Sequence, residues 1–468
     1  MVDQADNSTD PTDGDRIAAN MAEIAERSQR IIGEFLSRQP SGFGVIDPTN
    51  VGETFMELTA RMMSDPAKLA QAQKNLWQDY MALWQHTSQR MMGETPAPLV
   101  TPANDDRRFK HSEWDDNHLF DFIKQSYLLT ARWLQSTVSD VDGLNQKTAK
   151  KAVFYTRVFV DAMAPSNFAL TNPEVLQATV ESGGENLVNG LRNLLEDLEN
   201  SDGQLRIRMT DSNAFTLGEN IGATPGKVIY QNDLIQLLQY EPTTKQTYQR
   251  PLMIIPPWIN KYYILDLRPK SSFIKWAVAR GYTVFVLSWV NPDTDLAAKS
   301  FEDYLREGPL AALDAIEQAT GLAAVTAIGY CLGGTLLSCT MAYMAATGDN
   351  RIKAATYFAS MVDFAEPGDL GVFIDEEQLA ALDERMDEKG YLEGSAMANT
   401  FNMMRSNDLI WSFVINNYLL GKDPLPFDLL YWNSDSTRMP ATMHRFYLRK
   451  MYMENAVVEP GSITLDGV

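Results

Sequence analysis

The segment that decides the fold is Val325-Thr326-Ala327-Ile328-Gly329-Tyr330-Cys331-Leu332-Gly333-Gly334. A short apolar run rich in β-branched residues leads into a turn with one thiol, and an apolar, helix-compatible run follows at 336–346. Strand, tight turn and helix with a nucleophilic side chain at the turn form a nucleophile elbow, in which serine is commoner than cysteine. The pattern predicts Cys331 as a nucleophile.

The glycines around Cys331 have a steric explanation. Gly329 and Gly333 remove side chains that would clash with the neighbouring strand and helix, and Gly334 lets the helix pack closely. The helix N-terminus would direct N–H groups and partial positive charge at the sulfur, which favours the nucleophilic thiolate. The motif alone leaves a second interpretation open, a buried structural cysteine on a packed turn.

Composition and charge narrow the class of protein. The 468 residues are 45% apolar and 22% charged, a globular composition with room for two or more domains. The formal net charge of −21 argues against a nucleic-acid partner, since phosphate contacts need clustered Lys and Arg. No signal peptide is visible, and the longest apolar run, 282–290, is far shorter than the roughly 20 residues that span a bilayer. We expect a cytoplasmic protein that is not transmembrane.

The chain has two cysteines, Cys331 and Cys339. On a helix they would lie roughly 12 Å apart at 1.5 Å per residue. A disulfide requires Cα atoms within about 7 Å, so we expect two free thiols, as in a reducing cytoplasm. Cys339 is most simply a packing residue of the helix.

The first part of the chain predicts helices. Residues 1–15 indicate a disordered acidic tail, and residues 16–203 a helical N-terminal domain. The helix start at Asn172-Pro173-Glu174 combines a capping side chain with proline at the first helical position. Four large side chains also follow helical spacing: Trp77, Tyr80, Met81 and Trp84. They would pack on the core or, alternatively, form an amphipathic face that meets an apolar surface or a partner helix.

The second part, residues 204–468, alternates strand and helix. Predicted strands lie at 205–209, 228–230, 234–240, 252–255, 283–287, 325–328 and 354–358, with helices at 272–279 and 301–320. This alternation predicts an α/β fold with a parallel, doubly wound, α/β-hydrolase-like sheet whose ligand site lies at the carboxyl ends of the strands. From about 363 to 440 aromatic-rich helical pieces take over, which indicates a cap insertion over the site.

The expected partners of the nucleophile are missing. In this fold the acid and the base follow the nucleophile along the chain. His444 is the only histidine after Cys331, and it lies in a stretch, 439–455, that resembles one amphipathic helix instead of a loop after the last strand. We therefore favour a helix-surface or cap-edge role for His444. No further strand ends in an acid, Asp466 lies before any such strand, and we expect a C-terminally truncated sequence whose last strands are missing.

Six segments resemble one family closely. They are residues 256–267, 288–293, 329–334, 398–401, 407–411 and 427–433. Along nearly its whole length the chain resembles the class I polyhydroxyalkanoate synthases, with the long helical region of the single-chain type. The resemblance implies an acyltransferase that polymerises (R)-3-hydroxyacyl-CoA, here short-chain 3-hydroxybutyryl-CoA, and releases CoA.

The resemblance assigns roles to residues of this chain. Cys331 would carry the acyl chain as a covalent intermediate. The oxyanion would lie between the N–H groups of Leu332 and Ile259, which we favour over Trp258 by position. Asn260 and Asp266 would support that turn. Lys261 and Arg405 would contact CoA phosphates or serve only as surface residues. The catalytic Asp and His of the family would lie beyond residue 468, so the chain as given would be inactive.

The resemblance also implies partners. Coenzyme A is part of the substrate and a product, and no cofactor or metal is expected. A homodimer, a polyester granule surface in the cytoplasm and granule-associated proteins would be its partners. Two other functions stay open. One is a thioesterase or esterase of the same fold, and the other is a non-catalytic granule-surface or dimerisation fragment.

Overall fold

The computed structural model describes residues 48–201 and 205–468. The predicted acidic tail, 1–15, and the stretch 16–47 lie outside the described residues. The chain divides into two compact units. The first includes Pro48–Met209 and Arg405–Pro424, and the second includes Thr210–Met404 and Leu425–Val468. Among the described helices, none is long and apolar enough to cross a membrane.

The first unit is helical. Its helices are α1 Pro48–Ser64, α2 Pro66–Met91, α3 Glu113–Asp116, α4 His118–Ser139, α5 Gln146–Ala162, α6 Pro173–Glu181 and α7 Glu185–Glu199. The side chain of Asn172 accepts hydrogen bonds from the N–H groups of Glu174 and Val175, so the predicted start of α6 is confirmed. Between α2 and α3 the chain is irregular, where Pro96, Pro98 and Pro102 prevent a continuous helix.

The segment Arg405–Pro424, which the sequence analysis assigned to the cap, is part of this helical unit. It contains two π-helical stretches, Asn407–Trp411 and Val414–Leu419. The Tyr418 hydroxyl donates to the buried Asp197 carboxylate of α7 at 2.6 Å, and the Asn417 amide donates to the Arg208 carbonyl at 2.7 Å. Polar contacts across more than 200 residues of sequence therefore hold this segment on α7.

The second unit is an α/β fold. Its strands are β1 Gly226–Gln231, β2 Ile235–Tyr240, β3 Leu252–Ile255, β4 Val284–Trp289, β5 Val325–Tyr330, β6 Ile352–Phe358, β7 Tyr391–Leu392 and β8 Met439–Pro440. Its helices are α8 Phe273–Ala279, α9 Phe301–Leu305, α10 Ala311–Thr320, α11 Leu332–Thr347, α12 Glu376–Lys389, α13 Gly394–Met404, α14 Asp428–Ser434 and α15 Ala441–Phe446. The α/β-hydrolase-like fold predicted from the sequence is confirmed.

The main sheet is mixed and mostly parallel. Its six strands lie in the order β1-β2-β4-β3-β5-β6. The four strands β4, β3, β5 and β6 are parallel, whereas β1 and β2 join antiparallel at one side. All four residues of β3 are buried, as expected for a central strand with parallel neighbours and both faces covered. The carboxyl ends of β3, β5 and β6 therefore lie side by side.

Three predicted elements differ in the structure. Residues 205–209 form no strand, because the Arg208 N–H and guanidinium donate to Asp197 instead of to a neighbouring strand. The predicted helix 301–320 is interrupted by a π-helical stretch, Arg306–Leu310, which contains Pro309. The predicted helix 439–455 consists of β8, α15 and a π-helical stretch, Tyr447–Met453.

Candidate active site

Cys331 lies on a sharp turn between β5 and α11. Its backbone has φ 53° and ψ −122°, a conformation that costs free energy for a residue with a Cβ atom. The Cys331 N–H donates to the Phe358 carbonyl at the end of β6 at 2.9 Å, which continues the pairing of the two strands into the turn. The thiol is free and partly exposed. A strained turn at the carboxyl end of a central strand thus presents the sulfur outward.

The glycines of the turn allow close backbone approach. A Cβ atom on Gly333 would lie 1.9 Å from the Ile255 carbonyl oxygen at the end of β3. One on Gly334 would lie 1.9 Å from the Ser360 hydroxyl oxygen, and one on Gly329 would lie 2.4 Å from the Gly334 Cα. Real Cβ atoms do not tolerate such distances, so a side chain at Gly333 would push α11 away from β3.

The pKa of the Cys331 thiol is shifted in the direction opposite to the one expected from a helix N-terminus that favours the thiolate. Burial raises the pKa of the Cys331 thiol above its ordinary value of 9.0, and the Leu332 backbone N–H, which lowers it, compensates only in part. Removal of the sulfur from water disfavours the charged form more than this one N–H group favours it. The resting side chain is therefore a thiol, and a base is needed to activate it.

The turn after β3 carries the second predicted oxyanion group. The Ile259 carbonyl accepts the Thr437 N–H at 3.0 Å, and the Trp258 carbonyl accepts the Thr437 hydroxyl. Asn260 forms a β-bridge with Ser436. The carbonyls of the turn are thus fixed by the segment before β8. Among the hydrogen bonds of the described residues, none is donated by the Ile259 N–H, and its role as an oxyanion donor stays a prediction.

Asp266 is buried behind this turn. Its carboxylate accepts hydrogen bonds from the hydroxyls of Thr224 and Ser272, both at 2.5 Å, and from the Thr224 N–H at 3.2 Å. Ser272 in turn accepts the N–H of Lys275 and caps α8. A carboxylate with these donors is fixed in place, so Asp266 ties the chain after the oxyanion turn to the start of α8.

The two predicted CoA-contacting residues fall in different units. Lys261 follows the oxyanion turn, and its ammonium lies 4.0 Å from the Asp435 carboxylate. Arg405 begins the segment that belongs to the helical unit, where its exposed guanidinium pairs with Asp408 at 2.5 Å. The structure thus places Lys261, but not Arg405, in the same unit as Cys331.

His444 does not act on the sulfur in this geometry. The ring is fully buried, and neither ring nitrogen has a hydrogen-bond partner among the described residues. Burial lowers the pKa of His444 to about 4, and the carboxylate of Asp383 only partly opposes this. A base must lie within hydrogen-bond reach of the proton that it removes.

In residues 48–201 and 205–468, no cluster of His, Cys, Asp or Glu could hold a metal ion.

Sequence reasoning missed a group of aromatic side chains near the turn. The rings of Tyr447 and Trp258 meet edge to face with centroids 5.8 Å apart, and Tyr452 meets Phe364 at 4.9 Å. The tyrosines come more than 110 residues after Cys331, and their spacing of five fits the π-helical stretch, which the sequence did not indicate. No sequence signal connects them to the site.

The fold and the elbow define the chain as a protein of the α/β-hydrolase class. In agreement, the family model described as alpha/beta hydrolase fold matches residues 256–457. A second family model, described as the N-terminus of poly-beta-hydroxybutyrate polymerase (PhaC), matches residues 105–277.

Sequence identity to known proteins assigns the chain to one family within the α/β-hydrolase class. The chain is 50% identical to a poly(3-hydroxyalkanoate) polymerase of Methylorubrum extorquens over 97% of its own length and 77% of the relative. It is 48% identical to the polymerase subunit PhaC of Rhizobium meliloti, over 97% of the chain and 75% of the relative. The PhaC subunit of Cupriavidus necator is 39% identical, with 86% and 67% covered. The chain belongs to the poly(3-hydroxyalkanoate) polymerase family.

Proposed function

We propose that this protein polymerises (R)-3-hydroxyacyl-CoA, with 3-hydroxybutyryl-CoA as the substrate, through a covalent acyl group on Cys331. The observation that carries the proposal is the strained turn with φ 53° that presents a partly exposed thiol at the carboxyl end of β5. The names of the relatives support the type of reaction. A thiol suits exchange with a CoA thioester, because the sulfur that attacks and the sulfur that leaves are chemically alike.

The first step loads the enzyme. The Cys331 sulfur attacks the thioester carbonyl and loses its proton, the bond from carbonyl carbon to CoA sulfur breaks, and CoA leaves as a thiol with that proton. The N–H groups of Leu332 and Ile259 are the proposed donors to the oxyanion of the intermediate. A donor of this type contributes about 10² to 10³ in rate.

The second step lengthens the polymer. The hydroxyl oxygen of one hydroxyacyl unit attacks the acyl carbonyl on Cys331, a C–O bond forms, and the C–S bond breaks. The hydroxyl proton returns to the sulfur, so no oxidant or further reactant is needed. Because burial raises the pKa of the Cys331 thiol, both steps require a base, and His444 lacks the contacts for that role.

The test is a paired assay of CoA release and polymer formation by the native protein, purified as it occurs in the cell, with 3-hydroxybutyryl-CoA. We expect both products from the parent protein and neither from Cys331→Ala. Cys339→Ala is the matched control, since Cys339 is the other free thiol and is buried on the same helix. It should retain both activities.

The other outcomes separate the competing functions. CoA release without polymer would identify a thioesterase and contradict the proposal. Binding to polyester without CoA release would favour a non-catalytic granule-surface role. Polymer formation by Cys331→Ala would exclude the covalent intermediate on this residue.

A polyester granule surface is the proposed partner of α2. Trp77 and Trp84 are 65% and 67% exposed on this helix, with Met81 between them, whereas Leu83 and His86 are buried on the opposite side. Of the two interpretations of this stretch, the exposed indoles favour the face that meets an apolar surface. An aliphatic polyester in the cytoplasm offers such a surface.

Co-sedimentation with washed polyester granules tests this contact. Replacement of Trp77 and Trp84 by alanine should lower the bound fraction several-fold, because two large apolar side chains no longer leave water on binding. Trp276→Ala is the matched control, since Trp276 is also half exposed but lies on α8 of the other unit. Equal binding by the double variant would contradict the assignment of α2.

A further inference from the structure

Two tyrosines of the last helical stretch form a hydroxyl pair. The Tyr447 hydroxyl donates to the Tyr452 hydroxyl oxygen at 3.1 Å, and their rings meet edge to face at 5.3 Å. Tyr447 is buried, whereas Tyr452 keeps part of its surface exposed. Since Tyr447 supplies the proton of this bond, Tyr452 retains its own proton for another acceptor.

The pair lies above the carboxyl ends of the strands that surround Cys331. Trp258, shortly after β3, packs on Tyr447, and Phe364, after β6, packs on Tyr452. The Phe364 N–H is held by the Asn455 side chain at 2.7 Å, three residues beyond Tyr452. Because β5 lies between β3 and β6, the segment that carries both hydroxyls lies at the same edge of the sheet as the sulfur at the end of β5.

The electrostatics of the two phenols agree with this position. Burial raises the pKa of both phenols, and the negative charge of a Cys331 thiolate raises each of them further. Yet no hydrogen bond joins either hydroxyl to the sulfur in the described part of the chain, and no acceptor there takes the Tyr452 proton. The Tyr452 hydroxyl therefore keeps its proton for an acceptor other than the described residues.

We propose that Tyr452, positioned by Tyr447, donates a hydrogen bond to the 3-hydroxyl oxygen of the acyl group carried on Cys331. This inference rests on the proposed function and extends it to substrate selection. An acyl group on the sulfur would extend toward this segment, and its 3-hydroxyl oxygen would accept the proton that no described residue accepts. A site built to pair with a hydroxyl rejects the analogue that lacks it, because a polar group is then left unpaired.

The test compares loading of Cys331 by 3-hydroxybutyryl-CoA and by butyryl-CoA, which lacks the hydroxyl, in single-turnover experiments read by mass spectrometry. We expect the parent protein to load the hydroxyacyl group roughly 10 to 100 times faster. Tyr452→Phe should abolish most of that preference by slowing hydroxyacyl loading, while butyryl loading stays within about twofold. Tyr447→Phe should give a smaller loss of the same kind.

Tyr343→Phe is the matched control, since this phenol donates to Asp466 instead. It should keep the preference of the parent protein. A thermal melt of each variant shows whether it is folded, and Tyr447→Phe provides the test if Tyr452→Phe does not fold.

Several outcomes would overturn the inference. An equal fall with both thioesters would assign the pair a purely structural role, and so would a parent protein without preference. If the parent protein loads neither thioester, the proposed function itself fails, which distinguishes that result from a failure of the inference alone.

Discussion

Cys331 and Cys339 are eight residues apart in sequence, the first directly before α11 and the second inside it. Cys331 precedes α11 on a backbone with positive φ and contacts the Leu332 N–H, whereas Cys339 lies inside the helix and is buried. Both are free thiols with raised pKa values. What distinguishes the two thiols is the backbone geometry and the solvent access of Cys331, since the residue type is the same and both pKa values are raised.

This contrast explains why the motif needs its glycines. The regular helix around Cys339 requires no special residue, but the turn at Cys331 brings α11 against the ends of β3 and β6. The strain at Cys331 is stable only because its neighbours allow that approach. Variants that alter one thiol or its surroundings and leave the other unchanged test this contrast.

The largest effect is expected for replacement of the nucleophile itself. Cys331→Ser replaces the thiol with a hydroxyl of similar size. Because the thiol that exchanges with CoA is lost, CoA release should fall at least about a thousand-fold. Cys339→Ser measures the effect of the same substitution inside the helix and should stay near the parent rate. A Cys331→Ser variant with nearly full activity would contradict the thiol mechanism.

The next effect concerns the close approach at Gly333. Gly333→Ala places a Cβ atom against the Ile255 carbonyl, a backbone group that cannot rotate away. We expect destabilisation of about 3 kcal/mol or more, seen as a lower urea midpoint. Gly52→Ala in α1 is the control, because nothing lies within 4 Å of its Cβ position. That change should stabilise slightly, by about 0.5 to 1 kcal/mol. Equal midpoints for both variants would show that the turn is not tightly packed.

The two thiols should also differ in their response to pH. Burial raises the pKa of Cys331 above 9.0 and that of Cys339 to about 11. Because only the thiolate reacts, alkylation by iodoacetamide should be slow at pH 7 and rise as the pH passes 9, first at Cys331. Peptide mapping after alkylation at a series of pH values measures each site separately. Rapid alkylation of Cys331 at pH 7 would show that its pKa is not raised and would contradict this prediction.

The smallest effect is expected at Cys339. Cys339→Ala removes one buried sulfur atom and leaves a small cavity, which should cost about 1 kcal/mol without loss of activity. Urea unfolding and CoA release, measured on the same sample, check both parts. A large loss of activity here would remove the distinction between the two thiols.

The part of the fold that follows from local pattern was predictable from the sequence. The strands around the elbow and the helix start at Asn172 depend on neighbours within a few residues, and the structure confirms both. The antiparallel addition of β1 and β2 was not foreseen, since an apolar run does not specify the direction of its partner.

The parts that depend on distant contacts could not be predicted. The segment 405–424 lies with the helical unit because its side chains bond to residues such as Asp197, more than 200 positions earlier. The proximity of Tyr452 to the elbow likewise arises from ring packing between distant segments. At Cys331, the motif indicated the helix N-terminus but not the extent of burial that decides the direction of the pKa shift.

The most direct test of the central claim is to identify the residue that carries the acyl group. The purified protein is mixed with 3-hydroxybutyryl-CoA, quenched in acid, digested and analysed by peptide mass spectrometry. We predict a hydroxybutyryl group, or a short oligomer of it, on the peptide that contains Cys331, and none on the peptide that contains Cys339. CoA release and polymer formation without any adduct on Cys331 would contradict it.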